Sequence, residues 1–257
     1  MKRILFIIVC SPLFTSAQEF SKTLQDNSFF IEEAYNQEEG VVQHIFTGTG
    51  NSGSVFSEAS FTQEWPVGGQ THQLSYTIPY FLRSTTPSTH GVGDILLNYR
   101  YQAVNTNGLA IAPRLSLILS TGDETQGFGH GTAGMQYNLP VSKRWSNEFI
   151  THANVEFTWL PDVVSGSVAA TQMTYVTGMS GIFLVNKNFN IMAEILFSST
   201  TFGNFPAANE FTLSPGVRYA IDIGEVQIVP GLAFPLYFHN GGQENGIFFY
   251  LSFEHPF

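Results

Sequence analysis

The sequence predicts an all-β protein, a transmembrane antiparallel up-and-down β-barrel of about 12 strands. Composition supports this first, because only 12% of the residues are charged and mean hydropathy is +0.05. A soluble protein carries about 25% charged residues, and a helical membrane protein needs apolar runs of about 20 residues, which are missing here. Few charges with near-neutral hydropathy are typical of strands that alternate lipid-facing and lumen-facing residues.

Alternation along the chain is the second observation. Odd positions of residues 148–159 are mostly apolar and even positions mostly polar: Phe149, Val155, Phe157 and Trp159 against Glu148, His152, Asn154 and Glu156. A period of two indicates a strand, because successive side chains point to opposite faces. The same pattern recurs in residues 92–104, 109–120 and 210–222. A soluble β-sandwich also alternates, but these strands contain too few charges to cover its solvated faces.

Turn signals divide the chain into strands. Tight turns are predicted at 105–108, 185–190 and 223–225, and longer connections at 83–91, 121–130, 160–169, 201–209 and 239–245. Short and long connections alternate, as at the two ends of a barrel. The predicted strands are 41–48, 55–65, 71–82, 92–104, 109–120, 131–140, 147–159, 170–185, 190–200, 210–222, 226–238 and 246–257. Residues 41–257 are therefore predicted to form one domain.

The first 17 residues are predicted to be a cleaved signal peptide. Lys2 and Arg3 precede an apolar stretch from Ile4, and small residues at 15–17 offer a cleavage site. Cys10, the only cysteine, lies within this segment. Export of a barrel predicts the outer membrane of a Gram-negative-type bacterium as its location, with outer-membrane lipid around it.

Residues 18–40 are acidic and lack strict alternation, and residues 31–37 are predicted to form one or two helical turns. Two interpretations stay open: a plug that enters the barrel, or a disordered leader. The candidate plug residues combine apolar side chains that favour burial with carboxylates that could pair with lumen arginines: Phe29, Phe30, Ile31, Glu32, Glu33 and Tyr35.

The C-terminal strand alternates aromatic residues and ends at Phe257. This ending resembles the signal that barrel-assembly machinery recognises, although His255 interrupts the apolar face. The assembly machinery is therefore an expected partner.

Charged residues and one histidine are predicted to line the lumen. By parity they are Glu58, Glu64, Asp94, Arg100, Arg114, Glu148, His152, Glu156, Glu194, Arg218, Asp222 and Glu254. Such charges must be solvated or paired. They form either a polar conduit that selects a solute or a paired network that closes a narrow barrel.

No catalytic, metal or cofactor site is predicted. The seven histidines lack metal-ligand spacing, and Asp123, Glu124 and His130 of one Gly-rich loop are typical of a solvated loop. With a net charge of −10, nothing in the composition suggests a nucleic-acid partner, which would require a basic face. An outer-membrane lipid acyl hydrolase is the enzyme alternative, but it needs a His-x-Ser pair on one strand face, and no histidine offers it.

Residues 29–45, FFIEEAYNQEEGVVQHI, resemble the opening of the outer-membrane family named "MetA-pathway of phenol degradation". The stretches GVGDILLNYRYQ at 91–102 and LSTGDETQGFGHGTAG at 119–134 fit the same family. The resemblance implies a transporter-like barrel, a channel or uptake protein for small organic solutes, aromatic compounds among them. It does not identify the solute. A structural barrel with a plugged lumen is the alternative.

Overall fold

The computed structural model describes residues 28–51, 54–83, 88–166 and 168–257. The predicted signal peptide and residues 18–27 lie outside the described residues. The described residues form twelve strands, in chain order: β1 Val41–Asn51, β2 Ser54–Pro66, β3 His72–Arg83, β4 Thr89–Val92 with Ile95–Tyr101 and Val104–Thr106, β5 Leu109–Ile111 with Arg114–Leu119, β6 Gly134–Arg144, β7 Phe149–Ser165, β8 Val168–Asn186, β9 Phe189–Phe202, β10 Ala208–Tyr219 with Ile221–Ile223, β11 Val226–Ala233 with Leu236–His239, and β12 Gly242–Pro256.

Each described strand pairs antiparallel with the next, and β12 returns to β1. The closing register runs from Val41 opposite Pro256 to Asn51 opposite Gly246. Closure pairs the backbone groups of both end strands, which is what a sheet in a lipid environment requires. The predicted antiparallel up-and-down barrel of about 12 strands is confirmed.

The predicted long connection at residues 160–169 is wrong. β7 and β8 continue through most of it, with Ser165 opposite Val168 and a turn at Gly166, whose φ is 63°. Pro161 and Asp162 suggested a loop, but they are accommodated as a register shift between Leu160 and Val163. Alternation then resumes, since Val163 is 6% exposed and Val164 is 51% exposed.

The two ends of the barrel differ. One end of the barrel contains the first residue of β1, the last residue of β12 and four tight turns, at residues 107–108, 145–148, 187–188 and 224–225. We call this the turn end and the opposite end the loop end. The loop end includes residues 120–133, which contain a short 3-10 helix at Glu124–Gln126.

The two faces of the barrel wall have opposite chemistry. Val155 is 59% exposed on the outer face, whereas the neighbouring Asn154 is 7% exposed on the inner face. Leu117 and Ser116 show the same contrast, at 48% and 0%. Apolar side chains therefore dominate the outer face, whereas the inner face combines buried polar side chains with some apolar ones such as Ile150 and Phe248. Among the described residues, no helix is long and apolar enough to span a membrane.

Candidate functional site

Residues 28–40, here called the N-terminal segment, run inside the barrel. The segment leaves the turn end at Gly40 and reaches Ser28, whose hydroxyl contacts Ser180 on β8. Ile31 and Ala34 are 2% and 0% exposed. The predicted helical turns at residues 31–37 are wrong, because this stretch contains only bends and backbone without regular secondary structure.

The barrel wall replaces the hydrogen bonds that a helix would make for itself. The Ala34 amide donates to Ser142 Oγ at 2.8 Å, and the Gln37 amide donates to Gln73 Oε1 at 2.7 Å. Asn36 is held from three sides, since its amide donates to Gln102 and its side chain meets the 70–71 backbone and Arg100. Wall side chains that bind this backbone fix its extended path.

Glu32 lies at the centre of an ion-pair network. Its carboxylate accepts from Arg114 Nε at 2.8 Å, from Arg100 Nη1 at 3.1 Å and from Asn138 Nδ2 at 2.7 Å. Arg100 is 3% exposed and also donates to two backbone carbonyls of the segment, those of Glu33 and Tyr35. Charge-assisted bonds of this kind are about twice as strong as neutral ones.

Two wall carboxylates extend this network. Glu156 Oε2 lies 3.6 Å from Arg114, and Glu64 Oε2 lies 3.9 Å from Arg100. Arg100 and Arg114 are directly opposite each other on β4 and β5. The two guanidinium groups can stay inside the barrel because carboxylates surround them.

Glu194 binds the tip of the N-terminal segment. Its Oε1 accepts three consecutive amides, those of Phe29, Phe30 and Ile31, at 3.1, 2.9 and 3.0 Å. Glu194 itself is fully buried. Successive amides that converge on one anion form a backbone nest, so the wall supplies the anion and the segment supplies the donors.

The aromatic tip packs against β12. Phe29 lies 5.3 Å from Phe248 and 5.6 Å from Tyr250 between ring centroids, and Phe30 lies 4.7 Å from Phe248. Arg218 is 2% exposed and lies over the Tyr250 ring, 5.6 Å from its centroid. The apolar part of the segment therefore packs against a part of the wall that consists of aromatic side chains and glycines.

A serine and a histidine meet under the N-terminal segment. Ser142 Oγ lies 2.6 Å from His152 Nδ1 across β6 and β7. The pattern His-x-Ser within one strand does not describe this pair, because the serine and the histidine are on neighbouring strands. Both side chains are fully buried, and the serine hydroxyl also accepts the Ala34 amide. The pair holds the segment and has no surface open to a lipid substrate in this conformation.

Asp94 is lumen-facing, but it binds a loop. Its carboxylate accepts the amides of Thr121, Gly122 and His130, and His130 Nδ1 lies 2.8 Å away. The loop 120–133 is thereby drawn inward, and its Phe128 is 4% exposed and stacks on Phe81 at 6.4 Å. In the described part of the chain, no group of three acidic, histidine or cysteine side chains forms a metal site.

The remaining predicted lumen residues lie near the two ends. The lumen-facing position predicted for Glu148 is wrong, because β7 begins one residue later. Glu148 is exposed in a turn and contacts Ser146. Asp222 is exposed beside its own turn and accepts from Gln227, whereas Glu254 accepts from Gln43. Glu58 lies near the loop end and is exposed.

Two cavities border the N-terminal segment. A cavity of about 700 Å³ opens at the turn end, where Glu33, Tyr35, Asp222 and Glu254 are among its lining residues. A smaller cavity of about 170 Å³ lies on the loop side of Phe30. Its wall consists of Val176, Leu196, Ser198, Glu210, Thr212 and Tyr237. Residues of the segment line both cavities.

A closed barrel of twelve strands, apolar outside and polar inside, has the fold of the outer-membrane β-barrel class. No protein-family model matches the chain, and no curated protein matches it. The resemblance to the phenol-degradation family therefore stays a prediction.

Solved structures share the fold at low sequence identity. An outer membrane channel from Pseudomonas putida F1 is 13% identical with a TM-score of 0.64, over 87% of this chain and 98% of that one. The NanC porin is 11% identical with a TM-score of 0.54, over 83% of this chain and 100% of the porin. The β domain of the Bordetella autotransporter BrkA is 14% identical with a TM-score of 0.52, over 86% and 100%.

Proposed function

We propose that the protein is a passive outer-membrane channel or uptake barrel for small organic solutes, and that the N-terminal segment closes its lumen reversibly. The observation that carries this proposal is the position of the N-terminal segment inside the barrel. A separate stretch of backbone, bound by polar wall side chains, fills the middle of the barrel. The turn end faces the periplasm in this arrangement, since short turns are typical of that side.

The contacts of the segment suit a displaceable plug. The segment joins the first strand of the barrel wall at Gly40, and polar wall groups bind its backbone at several positions. The wall groups that hold it, such as Arg100, Arg114 and Glu194, can be solvated by water once it leaves.

The cargo is proposed as small organic solutes, with aromatic compounds among them. The support is the sequence resemblance in residues 29–45, together with a fold shared with an outer membrane channel and a porin. The alternative is a structural barrel whose segment never leaves.

Deletion of residues 21–39 tests the proposal in planar lipid bilayers. The truncated barrel is expected to fold and to show a higher single-channel conductance than the full-length chain, because its lumen no longer contains the N-terminal segment. Liposome swelling with aromatic acids, sugars and ions then ranks the solutes. Equal conductance of the two proteins, with no flux of any solute, would support the structural barrel.

A further inference from the structure

The Phe29 ring occupies a recess in the barrel wall. A Cβ at Gly216 would lie 2.5 Å from Phe29 Cε2, and a Cβ at Gly231 would lie 2.6 Å from Phe29 Cε1. Phe248 and Tyr250 complete the recess, which we call the ring slot. Any side chain at either glycine would overlap the ring. The lack of side chains at these two positions therefore leaves space in the wall for one six-membered ring.

Buried polar atoms without a hydrogen-bond partner flank the ring slot. In the β9–β10 register Gly216 is opposite Met192, and the next inward pairs are Glu194–Ser214 on one side and Asn190–Arg218 on the other. Ser214 and Asn190 are fully buried. Among the described residues, Ser214 Oγ, Glu194 Oε2 and both side-chain amide atoms of Asn190 have no hydrogen-bond partner.

Buried polar atoms nearly always have a partner, so this slot is incompletely matched by a phenylalanine. The Phe29 side chain is a hydrocarbon and can offer nothing to Ser214 or Asn190. A ring that bears a hydroxyl or amino group can fill the same space and also reach one of these atoms. The recess and its flanking groups thus fit a polar-substituted aromatic ring better than they fit the side chain now in it.

We propose that the ring slot is a binding subsite for a solute with a single aromatic ring and one hydrogen-bonding substituent, and that Phe29 occupies it as an internal competitor. The inference rests on the proposed function, since it names the solute class of the same lumen. Solute and Phe29 exclude each other, so solute binding favours the state in which the N-terminal segment has left. Arrival of the solute then opens its own path.

A cavity lies on the loop side of the ring slot. The smaller cavity borders Phe30 and is lined by Leu196 and Thr212, which pair directly beyond Glu194–Ser214. Its volume of about 170 Å³ is on the scale of one small ring. A solute waiting there lies one inward-facing pair away from the polar groups that flank the ring slot.

Cysteine labelling of the segment tests the competition without any need for conduction. Ser28 is 7% exposed, so a Ser28→Cys variant in a Cys10→Ser background should react slowly with a water-soluble maleimide. Phenol is expected to raise the labelling rate on the order of tenfold by shifting the segment outward. Cyclohexanol, which has the same hydroxyl but a saturated ring, is expected to change the rate little.

Two further substitutions separate the ring slot from other binding sites. With Phe29→Ala added, the slot has no competitor, and phenol should no longer accelerate labelling. With Ile31→Ala added, a buried side chain of the same segment is shortened outside the slot, and phenol should still accelerate it. Heat-modifiable gel mobility checks that each variant is folded.

Three results would overturn the subsite: no response to phenol, an equal response to cyclohexanol, or a phenol response that persists in Phe29→Ala. A failure of the proposed function looks different, because it appears as equal conductance of the full-length and truncated barrels. Labelling and conductance are separate measurements, so the two failures can be told apart.

Discussion

Substitution of Glu32 by glutamine tests how the N-terminal segment is held. The Glu32 carboxylate accepts bonds from Arg100, Arg114 and Asn138, and it brings the segment's negative charge to the two guanidinium groups. Glutamine keeps one acceptor oxygen but removes the charge. Breaking a fully buried pair costs about 3–5 kcal/mol, and hydrogen bonds to charged groups contribute about 1.5–3 kcal/mol each.

The expected loss for Glu32→Gln is smaller than these upper figures. Glu32 is 24% exposed, which screens the pair, and Glu64 and Glu156 remain close to the arginines. A cost of about 1–2 kcal/mol to the inserted state corresponds to a factor of roughly 5 to 30 in the ratio of open to closed barrels. Planar-bilayer recording measures this ratio as open probability.

Glu39→Gln is the matched control, since Glu39 belongs to the same acidic stretch but is exposed. It should leave the open probability near that of the unmodified protein. The reasoning fails if Glu32→Gln and Glu39→Gln give the same open probability, because the ion-pair network would then contribute nothing to closure.

Three other experiments test the wall, the C-terminal strand and the loop 120–133. Val155→Arg, on the outer face, should cost about 2–4 kcal/mol of folding stability, as arginine does near a bilayer midplane; Asn154→Arg should cost much less, and equal loss of heat-modifiable mobility would contradict the facing of β7. Deletion of Phe257 should slow insertion and leave unfolded protein in the periplasm; unchanged yields of folded barrel would show that this residue is not needed for assembly. Asp94→Asn should cost the loop 120–133 about 1–3 kcal/mol and expose Phe128 to chymotrypsin; unchanged cleavage would mean that other contacts hold the loop.

The fold was predictable from the sequence because its signals are local. Alternation in β7, with Val155 outside and Asn154 inside, depends only on successive residues, as does the turn at Asn107 and Gly108, whose φ angles are 51° and 70°. The error at residues 160–169 has a local cause too. A Pro-Asp pair is typical of a loop, and nothing nearby in the sequence shows that the strand resumes after it.

The contacts of the site were only partly predictable, because they join residues that are far apart in the chain. The chemical need of Arg100 and Arg114 for carboxylates pointed to the acidic segment, but it could not select Glu32 over Glu33. The helix expected at residues 31–37 is missing because Glu194, Ser142 and Gln73 supply its hydrogen-bond partners. The predicted lumen residues did not include neutral side chains such as Gln102 and Ser142, because the prediction was based mainly on charge.

A reversible cross-link tests the central claim most directly. The Ser28 and Ser180 hydroxyl groups are in contact, so cysteines at these two positions can form a disulfide that ties the N-terminal segment to β8. In a Cys10→Ser background, the oxidised Ser28→Cys/Ser180→Cys barrel is expected to stay closed in planar bilayers, and a reductant should restore openings. Ser28→Cys alone should not respond to oxidant or reductant. If the oxidised and reduced double variant conduct equally, the segment is not the gate of this barrel.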